Sequence, residues 1–221
     1  MKYLPFLLLL FLSACIGITR QQNITVTAVR DTISPDISSL INLYQTFEQD
    51  TLEILPGAYG DPGSWHFRGT AIDSQLQSLL SDRMYNKDYL FYACYKFNLD
   101  PNTIGLVTRA PSEYESSSVK LFAYHKQTNT ITFETELAEE FGDAGDVLIK
   151  NSWLYHSPDS SWRVILENFS SSQYGTPEDT VATESYDYYH LSWNGNKIDT
   201  VSTDSSALVR VYKTMTPVRK K

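Results

Sequence analysis

Tyr186-Asp187-Tyr188-Tyr189-His190-Leu191-Ser192-Trp193-Asn194-Gly195-Asn196-Lys197-Ile198-Asp199-Thr200-Val201-Ser202 is the stretch whose reading decides the fold. Two runs rich in aromatic and β-branched residues flank Asn-Gly-Asn. Asn and Gly tolerate positive φ, and a turn of that kind matches the right-handed twist of paired strands. The stretch therefore predicts a tight antiparallel hairpin. The same texture reaches upstream as far as Asp88, with strands predicted at 89–97, 103–109, 119–126, 130–135, 147–156, 162–168, 186–193, 197–202 and 208–214. Polar turns such as Asp100-Pro101-Asn102 and Ser157-Pro158-Asp159-Ser160 separate them. Residues 170–184 are polar and hold Gly175 and Pro177, which predicts a mobile loop. The sum is a mainly β chain, an antiparallel sandwich or an open barrel.

Before this region the periodicity is helical. Ser34 is placed to cap a helix with Pro35 at its first position, and Ile37, Leu40, Ile41, Tyr44 and Phe47 follow at amphipathic spacing. Pro56-Gly57 stops that helix, and a second is predicted over 73–84 with Leu76, Leu79 and Leu80 on one side. One or two short helices thus precede the strands.

Length and composition narrow the function. The chain has 221 residues, the size of a single domain, and 42% are hydrophobic, enough for a packed core. The net charge of −8 excludes a nucleic-acid binder, which needs basic faces to displace counterions. With only two cysteines, a disulfide scaffold and a CxxC zinc site are both excluded. Cys94 lies in an apolar run and reads as a small buried hydrophobe.

The chain opens with Lys2, an apolar run from Leu4 to Leu12, and then Ser13-Ala14-Cys15. The run is about half the ~20 residues that cross a bilayer, so it reads as a signal-peptide core. Leu12-Ser13-Ala14-Cys15 resembles the lipobox of bacterial lipoproteins. The resemblance implies cleavage before Cys15, acylation of that cysteine, and membrane attachment through several acyl chains. Ile16 rather than Asp after the cysteine implies sorting to the outer membrane, and the absence of an acidic run there implies its periplasmic face. The resulting organisation is a leader at 1–14, a lipidated tether at 15–33, one mainly β domain at 34–214 and a basic tail at 215–221. Leu137 to Asp146 together with Ser152-Trp153 also resembles uncharacterised Bacteroidota lipoproteins, a likeness that brings no activity with it.

Chemistry is less visible. GxSxG, HExxH, GxGxxG, P-loop and EF-hand patterns are absent, and His66, His125, His156 and His190 each stand alone, so no catalytic residue is assigned. Glu139, Asp143 and Asp146 in a glycine-bent acidic loop are candidate calcium ligands, although their spacing does not alternate as calcium loops do. Glu184 and His190 share a strand face but lie about 20 Å apart. The aromatic excess (15 Tyr, 10 Phe, 4 Trp) makes Trp65, Trp153, Tyr155, Trp162, Tyr188 and Trp193 candidate contacts for a ligand or partner. The expected function is a membrane-anchored, non-enzymatic module that binds an envelope protein or a glycan. Its competitor is an envelope glycan or peptidoglycan hydrolase that uses paired carboxylates.

Overall fold

The asparagine–glycine hairpin forms as the sequence predicts in a computed structural model that describes residues 35–57, 67–80, 90–112, 117–143, 145–176 and 179–215. Gly195 takes φ 93°, and the Asn194 side chain accepts the backbone N–H groups of Asn196 and Lys197 at 2.9 and 3.0 Å. In chain order the elements are α1 (Pro35–Asn42), β1 (Gln45–Thr46), β2 (Thr51–Ile54), β3 (Thr70–Ile72) and α2 (Ser74–Gln77). The main strands follow: β4 (Phe91–Asp100), β5 (Thr103–Ala110), β6 (Ser118–His125), β7 (Thr130–Asp143), β8 (Asp146–His156), β9 (Trp162–Thr176), β10 (Asp179–Trp193) and β11 (Ile198–Ser202). Helix α3 (Ser205–Thr214) comes last.

From β4 to β11 each strand pairs antiparallel with the next in one open sheet. β7 is the fold line. Its first part pairs with β6 as far as Ala138, and from Glu139 onward it pairs with β8. β2 occupies the place beside β8 that β7 vacates, with Thr51 opposite Tyr155 and Ile54 opposite Ser152. The sheet thereby doubles over on itself. Val107, Leu121 and Leu137 from one half pack with Ile54, Leu154, Val164, Leu166 and Leu191 from the other. The opposite face of β4–β6 is covered by α1 and α2, where Ile37, Leu40, Ile41, Tyr44 and Leu80 meet Phe91, Leu106, Phe122 and Tyr124. On the other half α3 lies over β9 and β10, with the Tyr212 and Tyr188 rings 5.5 Å apart.

Eight of the nine predicted strands are present, and the mainly β fold class with them. The departures are instructive. Residues 208–214 form helix rather than strand. Their β-branched residues favour a strand, but Asp204 caps the backbone of Ser206 and Ala207, and the helix turn buries Leu208 and sets the half-buried Tyr212 ring against Tyr188 of the sheet. The first helix ends at Asn42 rather than near Pro56. Residues 45–54 give their backbone to the sheet instead, as β1 beside β4 and β2 beside β8. The second helix is a single turn capped by Asp73, and residues 81–89 lie outside those described. The predicted loop at 170–184 is the far end of the long β9–β10 hairpin, in continuous register from Asp179↔Thr176 to Ser192↔Arg163. Residues 181–184 are all exposed, so consecutive side chains show no inside–outside alternation there.

Candidate functional site

That far end is joined by the ends of β7 and β8, and the four strands together form a wing beyond the core. Register aligns its side chains in rows across one face. Glu139, Lys150, Asn168 and Asp187 make the first; Phe141, Leu148, Ser170 and Ser185 the second; Asp143, Asp146, Ser172 and Thr183 the third. At the root of the wing is a cleft of about 520 Å³ lined by Glu136, Glu139, Phe141, Lys150, Asn168 and Ser170, among others.

The floor of this cleft is an ion cluster. Lys120, fully buried, donates from Nζ to the Pro111 carbonyl at 2.5 Å and lies 3.6 Å from Glu136 Oε1. Lys150 Nζ lies 3.4 Å from Glu136 Oε2 and 3.5 Å from Glu139 Oε2. The two carboxylates thus share the Lys150 ammonium between them. Two acids and two bases balance, as burial of charge requires. Burial pushes the Lys120 ammonium below its ordinary value, against the pull of Glu136 and Glu139. Burial likewise lifts the Glu139 carboxyl above its ordinary value, with Glu136 adding to the rise. Glu136 moves the other way. Burial opposes its charge, but Ser118, Lys150 and Lys120 together outweigh that and hold it below the usual range.

The linkage for Glu139 has a definite sign. A carboxyl raised in the folded state binds more protons than the unfolded chain, so its stabilising contribution is complete below the unfolded value of 4.5 and is lost as pH rises through the folded value. Glu139→Gln is therefore expected to flatten the fall in melting temperature above pH 4.5, leaving the acid-side loss from Glu136 in place. Melting curves collected across that range check it, and an unchanged slope would count against the raised carboxyl.

The chemistry available to the pair follows from its closeness. Glycosidases hold their two carboxyls about 5–5.5 Å apart when retaining and about 6.5–9.5 Å apart when inverting. In this cluster Glu136 and Glu139 both bind one ammonium, Lys150 Nζ, at 3.4 and 3.5 Å, and Glu136 faces Lys120 as well. The rows of hydroxyl, amide and carboxylate groups beyond them can instead hydrogen-bond a polar partner.

The structure corrects the aromatic candidates. Trp153, Trp162, Tyr188 and Trp193 are buried, and Tyr155 is half-buried. The polar atoms of three of them find partners within the chain: Trp162 Nε1 donates to the Asn98 carbonyl at 2.7 Å, Trp193 Nε1 to Asp100 Oδ2 at 2.7 Å, and the Tyr188 hydroxyl to Glu167 at 2.5 Å. The Tyr155 hydroxyl meets His190 Nε2 at 3.1 Å. These rings hold the sheet halves and α3 together and form no exposed platform. Trp65 lies outside the described residues, as do Cys15, the leader, the tether and residues 216–221.

The calcium candidates are likewise separated. Asp143 and Asp146 face each other across the β7–β8 turn, whereas Glu139 points to Lys150 from a position about 13 Å back along the strand. Among the described residues no group of three metal-ligating side chains comes together. Glu184 sits exposed on the wing, away from His190. Cys94 is buried as read, and burial pushes its thiol up. The residues that sequence reasoning missed are Lys120, Glu136 and Lys150. Lys120 carried a signal, as a lone cation within the apolar run Val119 to Tyr124.

No protein-family model matches the chain, and no curated protein or solved structure matches it either.

Proposed function

We propose that this protein is a lipid-anchored lipoprotein of the bacterial cell envelope, held at the periplasmic face of the outer membrane through Cys15. Its β domain serves as a non-enzymatic module that binds an envelope protein or a glycan. The anchor rests on Leu12-Ser13-Ala14-Cys15 at the end of an apolar leader, followed by Ile16. The wing carries the binding reading. Ordering its strands costs conformational entropy, and residues 181–187, all exposed, return little of it through core burial. A sheet extension rich in hydroxyl, amide and carboxylate groups is suited to contact outside the molecule. At its root Glu136 and Glu139 are both engaged by lysine ammonium groups, which supports binding over the hydrolase alternative.

In cells given a fatty-acid probe, the wild-type protein is expected to take up label and fractionate with membranes, and Cys15→Ala is expected to lose both. An unlabelled wild-type protein removes the anchor. Cross-linking in living cells followed by mass spectrometry is expected to trap an envelope component on the wing, and a wing that traps none removes the binding role.

A further inference from the structure

We infer that the outer edge of β10 takes up an extended, basic peptide segment of a partner protein as an added antiparallel or parallel strand. This inference rests on the binding-module reading and names the partner's chemistry. β11 pairs with β10 only at His190, Leu191, Ser192 and Trp193. From Asp179 to Tyr189, β10 is paired with β9 on one side, and among the described residues no strand pairs with it on the other. The Tyr188 N–H marks which groups face outward, because it leaves the β9 ladder and donates to Ser205 Oγ at 3.0 Å. Backbone direction alternates along a strand, so Thr180, Ala182, Glu184 and Tyr186 also present N–H and C=O groups to the open side.

Open edges in natural sheets are blunted by lysine, proline, bulges or shortness. This edge has none of these. Residues 179–189 contain no lysine, arginine or proline, and the register with β9 is unbroken throughout. What it does carry is acid. Glu184 and Asp187 are exposed, and Val181 and Tyr186 stand out beside them at 57% and 53% exposure. Two copies paired antiparallel about Glu184 would set that carboxylate opposite its own copy, which disfavours that register. An incoming strand with lysine or arginine at alternate positions and apolar residues between would set its cations on the Glu184–Tyr186 face, lay its apolar side chains over Val181 on the other, and satisfy the outward backbone groups.

The test uses an end-capped eight-residue peptide of alternating lysine and valine, with the glutamate–valine peptide as its counterpart. Amide exchange of the wild-type protein is followed with and without each. The amides of Ala182, Glu184 and Tyr186 are expected to exchange freely in the unliganded protein and to slow at least tenfold with the lysine peptide only. Those of Thr183, Ser185 and Asp187 should be slow throughout. Ala182→Pro removes one outward N–H without touching the β9 ladder, and is expected to weaken peptide binding at least tenfold while preserving the protection of Thr183 and Ser185. Failure of the lysine peptide to slow the outward amides would overturn the inference. So would outward amides already slow in the unliganded monomer, or a concentration-dependent dimer formed through this edge. Neither fatty-acid labelling at Cys15 nor glycan capture on the wing depends on this edge, so the broader reading and this one fail separately.

Discussion

Lys120→Met is expected to lower the free energy of unfolding by about 3–5 kcal/mol at neutral pH, the range for removing one partner of a buried ion pair. Methionine has nearly the length of lysine, so little cavity forms and the loss is mostly electrostatic. Lys120 holds the Pro111 carbonyl, faces Glu136 and lies with Nζ 5.7 Å from the centre of the Phe133 ring. Without it, the half-buried Glu136 charge has Lys150 as its remaining cation, and Lys150 is already shared with Glu139. Denaturant unfolding measures the effect. The double variant Lys120→Met/Glu136→Gln should recover much of the loss, because both members of the broken pair are then neutral. A single variant within 1 kcal/mol of wild type would mean that water, and not the protein, solvates this cluster.

Trp162→Ala should cost about as much, roughly 3–5 kcal/mol for truncating a buried aromatic. The indole is 7% exposed and sits where the two sheet halves meet the β1–β2 segment. Phe97 lies 4.3 Å away, His156 5.1 Å and Phe47 6.3 Å, ring centre to ring centre. Trp162→Phe retains much of the apolar area but removes the donor to the Asn98 carbonyl, and should cost clearly less. Equilibrium unfolding of the two variants separates packing from hydrogen bonding. A truncation that left stability intact and changed only partner binding would return this residue to the recognition surface from which its burial has removed it.

The contrast between these two residues shows what local sequence can carry. Trp162 was conspicuous as a residue type, but nothing nearby in the chain reveals that Asn98, 64 positions away, will take its N–H. Lys120 stood out only as a lone cation in an apolar run, and its importance arises from Glu136 on the next strand and Lys150 on the one after. The stretch at 181–184 lacked any alternation because all four side chains are exposed, so only pairing with β9, itself paired with β8 as far as Ser172, identifies it as sheet. The β-branched run at 208–214 pointed to a strand, but at the chain's end the docking of Leu208 and Tyr212 outweighs a propensity worth a few tenths of a kilocalorie per residue.

Taken alone, the amino-acid order determined the mainly β class, the positions of eight strands, the asparagine–glycine hairpin and the candidate acylation site at Cys15. Those features depend on residues within a turn or two of one another: alternation, turn chemistry, an apolar run ended by a cysteine. The partner switch at β7, the insertion of β2 beside β8, the ion cluster and the open edge of β10 were decided only in three dimensions. Each depends on which strand stands beside which, and that choice is made by burial of the whole core and not by any one segment.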